Sequence, residues 1–227
     1  MITTETAQSI SFTALEQALS AARLTAYRQS GANPTEAIAR YRWNSALCGA
    51  LQPVLGHLEV AFRNSLHRAI ATLRQRSDWY NTPGLLSQRE TDTVKKAQEE
   101  LAKVNKSTAP DNIVATLQFG FWTSILSRDY ERKLWPQLLL KVFPHVPRTN
   151  RTRHFVMNRM NVLRGLRNRV SHLEPIWHWA DLLQKYQELR DAISWFDPSL
   201  LHLIDITYNF EKIYALGPAY YAIKITP

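Results

Sequence analysis

The chain has 227 residues, 45% of them hydrophobic and 21% charged, enough for a sizeable core and too apolar for a disordered chain. Its formal net charge of +9 points to a polyanionic partner, nucleic acid or an anionic membrane face. One cysteine, Cys48, excludes an internal disulfide and a cysteine-based zinc site, and fits a reducing, cytoplasmic setting.

Glycine is rare, alternating Val/Ile/Thr runs are scarce and apolar residues recur at helical spacing, so an all-α, multi-helix bundle is expected. A single domain over 1–227 is expected: an N-terminal helix to 31, a core bundle over 33–196, and a C-terminal helix and tail over 197–227. No repeat of 20–50 residues appears. The opening MITTETAQSISF has neither the basic run nor the apolar stretch of a secretory leader. A first helix opens near Ser11 or Thr13, with Glu16 completing a Thr-x-x-Glu box, and stops at Gly31. A second has Asn33 as N-cap, Pro34 at its first position and Glu36 at its third, and Pro53 is expected to break or kink it. The continuation runs to about Arg76, and 76–84 is a loop. Ser87 and Glu90 form the capping box of a polar, exposed helix. Pro110 starts a buried helix through IVATLQFGFWTSIL (113–126), a stretch too short to span a bilayer. Residues 129–144 are expected to be a helix bent at Pro136. The long basic helix after 150 ends near His172, because Pro175 disfavours α conformation at Glu174. Two helices follow, the second capped by Asp197 and Pro198, and the tail GPAYYAIKITP has no helix signal.

The stretch RGLRNRVSHLEPIWH (164–178) carries the chemistry. Between Arg148 and His172 stand seven arginines and no acid. Val156, Leu163, Leu166, Val170 and Leu173 form the expected core stripe. Arg164, Asn168 and His172, at i, i+4 and i+8, lie roughly opposite, with Ser171 among them and Arg167 at the edge. Metal-free RNA cleavage needs a base for the 2′-hydroxyl, an acid for the leaving 5′-oxygen and a cation for the phosphorane. Histidine titrates near neutral pH, and arginine binds phosphate bidentately. Arg167 and His172 are about 140° apart on the wheel. One copy is therefore incomplete, and two facing helices would pool the groups. The alternative is a solvated arginine face with His172 as a cap.

LRNRVSHLEPIW resembles the signature of Abi-like (abortive infection) proteins within the HEPN superfamily, whose mark is Arg-x(4–6)-His with a polar residue after the arginine. YRWN (41–44), LEVAFRN (58–64), DWY (78–80) and FGFW (119–122) resemble the family's upstream blocks. The resemblance implies a helical bundle that dimerises into a metal-independent endoribonuclease, with no cofactor and no membrane span. It implies phage defence or toxin-like growth arrest, with a small regulatory RNA or an antitoxin as further partners. Carried over, Arg167 and His172 are catalytic and Asn168 supports them, with Glu174 in the segment that follows.

Glu59, Arg63 and His67 fall at i, i+4 and i+8 beside an apolar stripe, and Glu59 is expected to pair with Arg63. LEVAFRN makes Glu59, Arg63 and Asn64 candidates to support the site or bind RNA, as are Arg164, Ser171 and Glu174. Trp79, Tyr80, Trp122, Trp177 and Trp179 could stack bases, although tryptophans at helical spacing are usually core. Tyr41 and Asn44 carry the same discount. His172, Glu174 and His178 have no regular metal-ligand spacing across Pro175, so no metal is expected. Three readings remain: a dimeric ribonuclease, a non-cleaving RNA- or nucleotide-binding module, and a structural protein whose basic helix is an assembly surface.

Overall fold

The computed structural model describes residues 10–28 and 33–226; the stop expected at Gly31 and most of the opening stretch lie outside them. The described residues form eleven α-helices and two short strands, an all-α, multi-helix fold. In chain order they are β1 (Ile10–Ser11), α1 (Phe12–Leu19), α2 (Ala21–Thr25), α3 (Pro34–Arg74), α4 (Gln88–Lys103), α5 (Pro110–Thr116), α6 (Phe119–Ser124), α7 (Trp135–Val142), α8 (Arg153–Ser171), α9 (Leu182–Ser194), α10 (Ser199–Thr207), α11 (Phe210–Leu216) and β2 (Ile225–Thr226).

Several caps act as the sequence suggests. Glu36 donates its backbone N–H to Asn33 Oδ1 at 2.9 Å, and Ser199 donates to Asp197 Oδ1 at 2.9 Å. Other expectations change. Ser11, not Thr13, caps α1, and the first helix breaks at Ser20, whose φ of 74° no helix accepts. Pro53 does not interrupt α3, which runs 41 residues; the missing N–H costs one bond to the Gly49 carbonyl, and packing on either side carries the helix through. The helix expected to start at Pro110 and run through FGFW ends at Thr116, because Leu117 is extended and its carbonyl accepts from Trp122 Nε1 at 3.1 Å; α6 then starts afresh. Pro136 opens α7 rather than bending a longer helix. The C-terminal helix divides into α10 and α11, with Asn209 between them.

The chain forms two compact units, each discontinuous in sequence. One comprises Met1–Pro53, Asn168–Tyr186 and Tyr208–Pro227. Here β1 and β2 pair in parallel, Ile10 with Ile225, beside a cluster of Phe12, Leu24 and Ile38. Trp43 donates its indole N–H to Ile213 O at 3.0 Å, and Tyr186 packs on Phe210 at 4.5 Å. The other unit comprises Val54–Arg167 and Gln187–Thr207. Its centre is Phe62 of α3, fully buried, with Phe119, Phe143 and Phe196 within 5.7–6.3 Å. The apolar positions of α3 here, Val54, Leu58, Phe62, Leu66 and Ile70, recur every four residues with Leu55 beside them, and all are buried.

The capping box at α4 is a buried polar knot rather than a surface cap. Ser87 donates its hydroxyl to the Glu90 carboxylate, Tyr130 donates to the same oxygen at 2.8 Å, and Ser87 N–H donates to the Tyr130 oxygen at 3.1 Å. Burial works to raise the Glu90 pKa, but the hydroxyls of Ser87, Tyr130 and Ser124 outweigh it and hold it below the usual glutamate value. A folded-state pKa below the unfolded one gives stability that is complete above the unfolded value and lost as pH falls through the folded value. Glu90→Gln should therefore lower stability at pH 7 by about 2 kcal/mol, and denaturation curves of variant and wild type should converge on acidification below the usual glutamate range.

Candidate functional site

The basic segment forms α8 and the turn that ends it. Val156, Met160, Leu163, Leu166 and Val170 face the core. Leu173, expected to extend this stripe, is instead exposed, with a φ of 51°. The reason is the way the helix stops. Leu173 N–H donates to Val170 O at 3.1 Å and Glu174 N–H to Arg169 O at 2.9 Å, the paired bonds of a Schellman termination, with Leu173 in the left-handed position that glycine usually fills. His172 is thereby the residue at the helix end, bonded N–H to Asn168 O at 3.2 Å.

Two residues distant in sequence brace this turn. Arg23 of α2 forks onto the carbonyls of Leu173 and His172 at 3.1 and 3.4 Å, supplying donors and positive charge where a helix end lacks both. Asn44 of α3, fully buried, accepts from the N–H of Ile176 at 2.8 Å and of Trp177 at 3.1 Å, and donates to Glu174 O at 3.2 Å. Asn44 is thus a structural clamp, and beside it burial pushes the Cys48 thiol up to about 12. Trp177 stacks on Tyr27 at 6.3 Å, Tyr27 meets Tyr41 edge-on at 5.3 Å, and the Arg40 guanidinium covers Trp177 at 5.2 Å. Arg169 pairs with Glu174 at 3.3 Å and lies over Trp179 at 5.3 Å. Sequence reasoning missed Arg23 altogether; its only signal was a lone arginine in an otherwise apolar, small-residue helix.

The candidate side chains fall into distinct states. Asn168, Ser171 and His172 are exposed. Ser171 donates to Gln52 at 3.3 Å, whereas the Asn168 amide, the His172 imidazole and the half-buried Arg164 guanidinium take no hydrogen-bond or ion-pair partner among the described residues. In the other unit Glu59 pairs with Arg167 at 3.4 Å rather than with Arg63, which donates its Nε to Asn64 Oδ1 at 3.2 Å. The α8 arginine outcompetes the neighbour one turn along α3. Of the aromatic candidates, Trp79, Tyr80 and Trp122 are buried in the core, where they cannot stack on a base. Among the described residues no three His, Cys, Asp or Glu side chains converge as a metal site, His172, Glu174 and His178 included, and no helix is long and apolar enough to cross a membrane.

A helix ending in a hydrogen-bonded turn at an exposed histidine, with Arg-Asn before it and Glu-Pro after it, lies inside the segment by which the chain can be classified. The family model described as Abi-like protein matches residues 10–178, and the chain belongs to that family. No curated protein and no solved structure gives a match.

Replacing Asn44 by alanine should cost about 3 kcal/mol, since one buried and two part-buried backbone groups lose their partner at roughly 1 kcal/mol each. A thermal melt should show the loss, and amide exchange at Ile176 and Trp177 should accelerate more than exchange in α9.

Proposed function

We propose that the protein is a metal-independent endoribonuclease of phage defence, acting as a homodimer of HEPN type whose site is completed by a second copy. The observation that carries this reading is the contrast at His172: its backbone is fixed by the Schellman bonds and by Arg23, while its imidazole faces outward with no partner among the described residues. A histidine held as a mere cap would spend its ring on a carbonyl; this one keeps both nitrogens available. Family membership supports the same reading, since the Abi-like name points to abortive infection.

In the proposed reaction His172 takes the proton of an RNA 2′-hydroxyl, and the 2′-oxygen attacks the adjacent phosphorus. The phosphorus–5′-oxygen bond breaks, and the second copy's His172 gives a proton to the leaving oxygen. The products are a 2′,3′-cyclic phosphate and a 5′-hydroxyl, and protons balance between the two histidines. Arg167 stabilises the charge on the phosphorane oxygens, oriented by Glu59, and Asn168 holds the ribose or the imidazole. Arg164 adds a second guanidinium on the same helix.

The test is cleavage of end-labelled single-stranded and structured RNAs in excess EDTA. Wild type should cut. His172→Ala and Arg167→Ala should each lose at least about a hundredfold in rate while melting near wild type, and activity per chain should rise with protein concentration through the dimerisation range. RNA bound with salt-dependent affinity but never cut would favour the binding-module reading instead.

A further inference from the structure

The motif's echo on α3, RNSLH (63–67), has a different geometry from RNRVSH. Arg63 and His67, four residues apart, share one face of the helix, with Asn64 and Arg68 beside them. They line a cavity of about 300 Å³ whose other wall, from α5, is Asp111, Val114 and Ala115. That volume lies at the lower end of the range for small-molecule sites.

Could this be a second acid–base site? The hydrogen bonding argues otherwise. Trp79 donates its indole N–H to His67 Nδ1 at 3.0 Å, and an indole can only donate. Nδ1 is therefore unprotonated, and the ring carries its one proton on Nε2, which has no hydrogen-bond partner among the described residues. Burial pushes the His67 pKa down and the Asp111 carboxylate pulls the other way, so the net shift favours the neutral ring that the Trp79 bond requires. Protonating Nδ1 would orphan the N–H of the fully buried Trp79. His67 is a fixed neutral donor, suited to binding an oxygen and unsuited to removing a proton.

The charges in the cavity are divided between its walls. On the α3 side stand Arg63, His67 and Arg68, all donors. Arg68 is exposed and has no hydrogen-bond or ion-pair partner among the described residues. On the α5 side the Asp111 carboxylate only accepts. A bare anion would satisfy the first wall and be repelled by the second. A group offering both a phosphate and a hydroxyl satisfies both.

We propose that this cavity, whose lining includes neither Arg167 nor His172, is a ribose-phosphate subsite for a single-stranded RNA substrate. Arg63 and Arg68 hold the phosphate, His67 Nε2–H donates to one of its oxygens, and Asp111 accepts from the 2′-hydroxyl. Arg68 also lines a second depression with Ser65, Thr72 and Lys141, so the strand's next phosphate is met by Lys141. A third depression that Arg68 lines contains Asp197, whose carboxylate disfavours a strand running into it. This rests on the ribonuclease reading for the identity of the ligand and deepens it.

The experiment is fluorescence anisotropy of a short labelled single-stranded RNA on the full-length chain carrying His172→Ala, titrated across salt, with DNA of the same sequence and inorganic phosphate as competitors. Arg68→Ala should weaken RNA binding about tenfold and flatten the log–log salt slope by roughly 0.7 for each phosphate no longer neutralised, and Arg68→Lys should recover most of the affinity. Asp111→Asn should bring RNA and DNA affinities together, where the parent prefers RNA. Arg68 is exposed, so its variants should melt like the parent. Unchanged affinity and slope in both Arg63→Ala and Arg68→Ala would overturn the subsite and leave the ribonuclease reading standing, and absence of RNA binding would overturn it as well. RNA bound through Arg68 but never cut by the wild type would sink the ribonuclease reading and keep the subsite. Displacement by inorganic phosphate at RNA-like concentrations, with Asp111→Asn silent, would reduce the site to a free-phosphate pocket and overturn the ribose assignment.

Discussion

Asn44 is the constraint on which the geometry of the candidate site depends. One buried amide satisfies two N–H groups and one carbonyl of the segment 174–177, in a place where no helix or sheet ladder could do so. Without it Pro175 would end α8 but leave the following residues undirected. With it the chain leaves the helix along one path, Trp177 settles against Tyr27 and Arg40, and the turn is tied down at residues 174–177 as Arg23 ties it at His172 and Leu173. The left-handed conformation of Leu173 is tolerable because these bonds over-determine it, since a non-glycine there costs about 1 kcal/mol or more.

Helix α3 supplies the supports in both units. In one it carries Asn44 and Gln52, which meet the turn and Ser171; in the other it carries Glu59, which meets Arg167. Its apolar stripe spends one face on the core, and the polar residues flanking that stripe are what remain to hold α8 side chains. This explains why Glu59 abandons Arg63. An i, i+4 pair on an exposed helix is worth only a few tenths of a kcal/mol, and a partly buried guanidinium from another element offers a less screened partner.

The sequence carried the local rules well and the long-range ones poorly. Asn33, Asp197 and the end of α8 at His172 were legible because caps and Pro175 act over three or four residues. The break at Ser20 and the division at Leu117 were not, because each departs from the local pattern: Leu117 is extended so that its carbonyl can meet Trp122. Pro53 misled for the converse reason, since packing of a long helix outweighs one missing hydrogen bond. For the site, the motif itself was visible, but Arg23, the clamp role of Asn44 and the Glu59–Arg167 pair join residues about 110 to 150 positions apart, and no periodicity encodes them. The tryptophans were ambiguous from spacing; burial assigns Trp79 and Trp122 to the core.

The rigidity of the turn bears on why a second copy belongs in the proposed mechanism. Arg167 and His172 diverge by about 140° around one helix axis. A frayed helix end could swing the histidine toward the arginine and complete a site within one chain. Here the Schellman bonds, the Arg23 fork and the Asn44 clamp together oppose that swing, and unmaking them would cost several kcal/mol at roughly 1 kcal/mol per bond. A site that must unfold its own support before acting is a poor catalyst, because the cost is added to every barrier. In the proposed mechanism a second α8 alongside would meet the same geometric need with the support intact, and would make each fixed His172 useful to its neighbour. The contrast with His67 follows the same logic: the histidine whose nitrogen is committed to a buried tryptophan is suited to binding, and the one whose backbone alone is committed among the described residues is the one to which the proposed mechanism gives proton transfer.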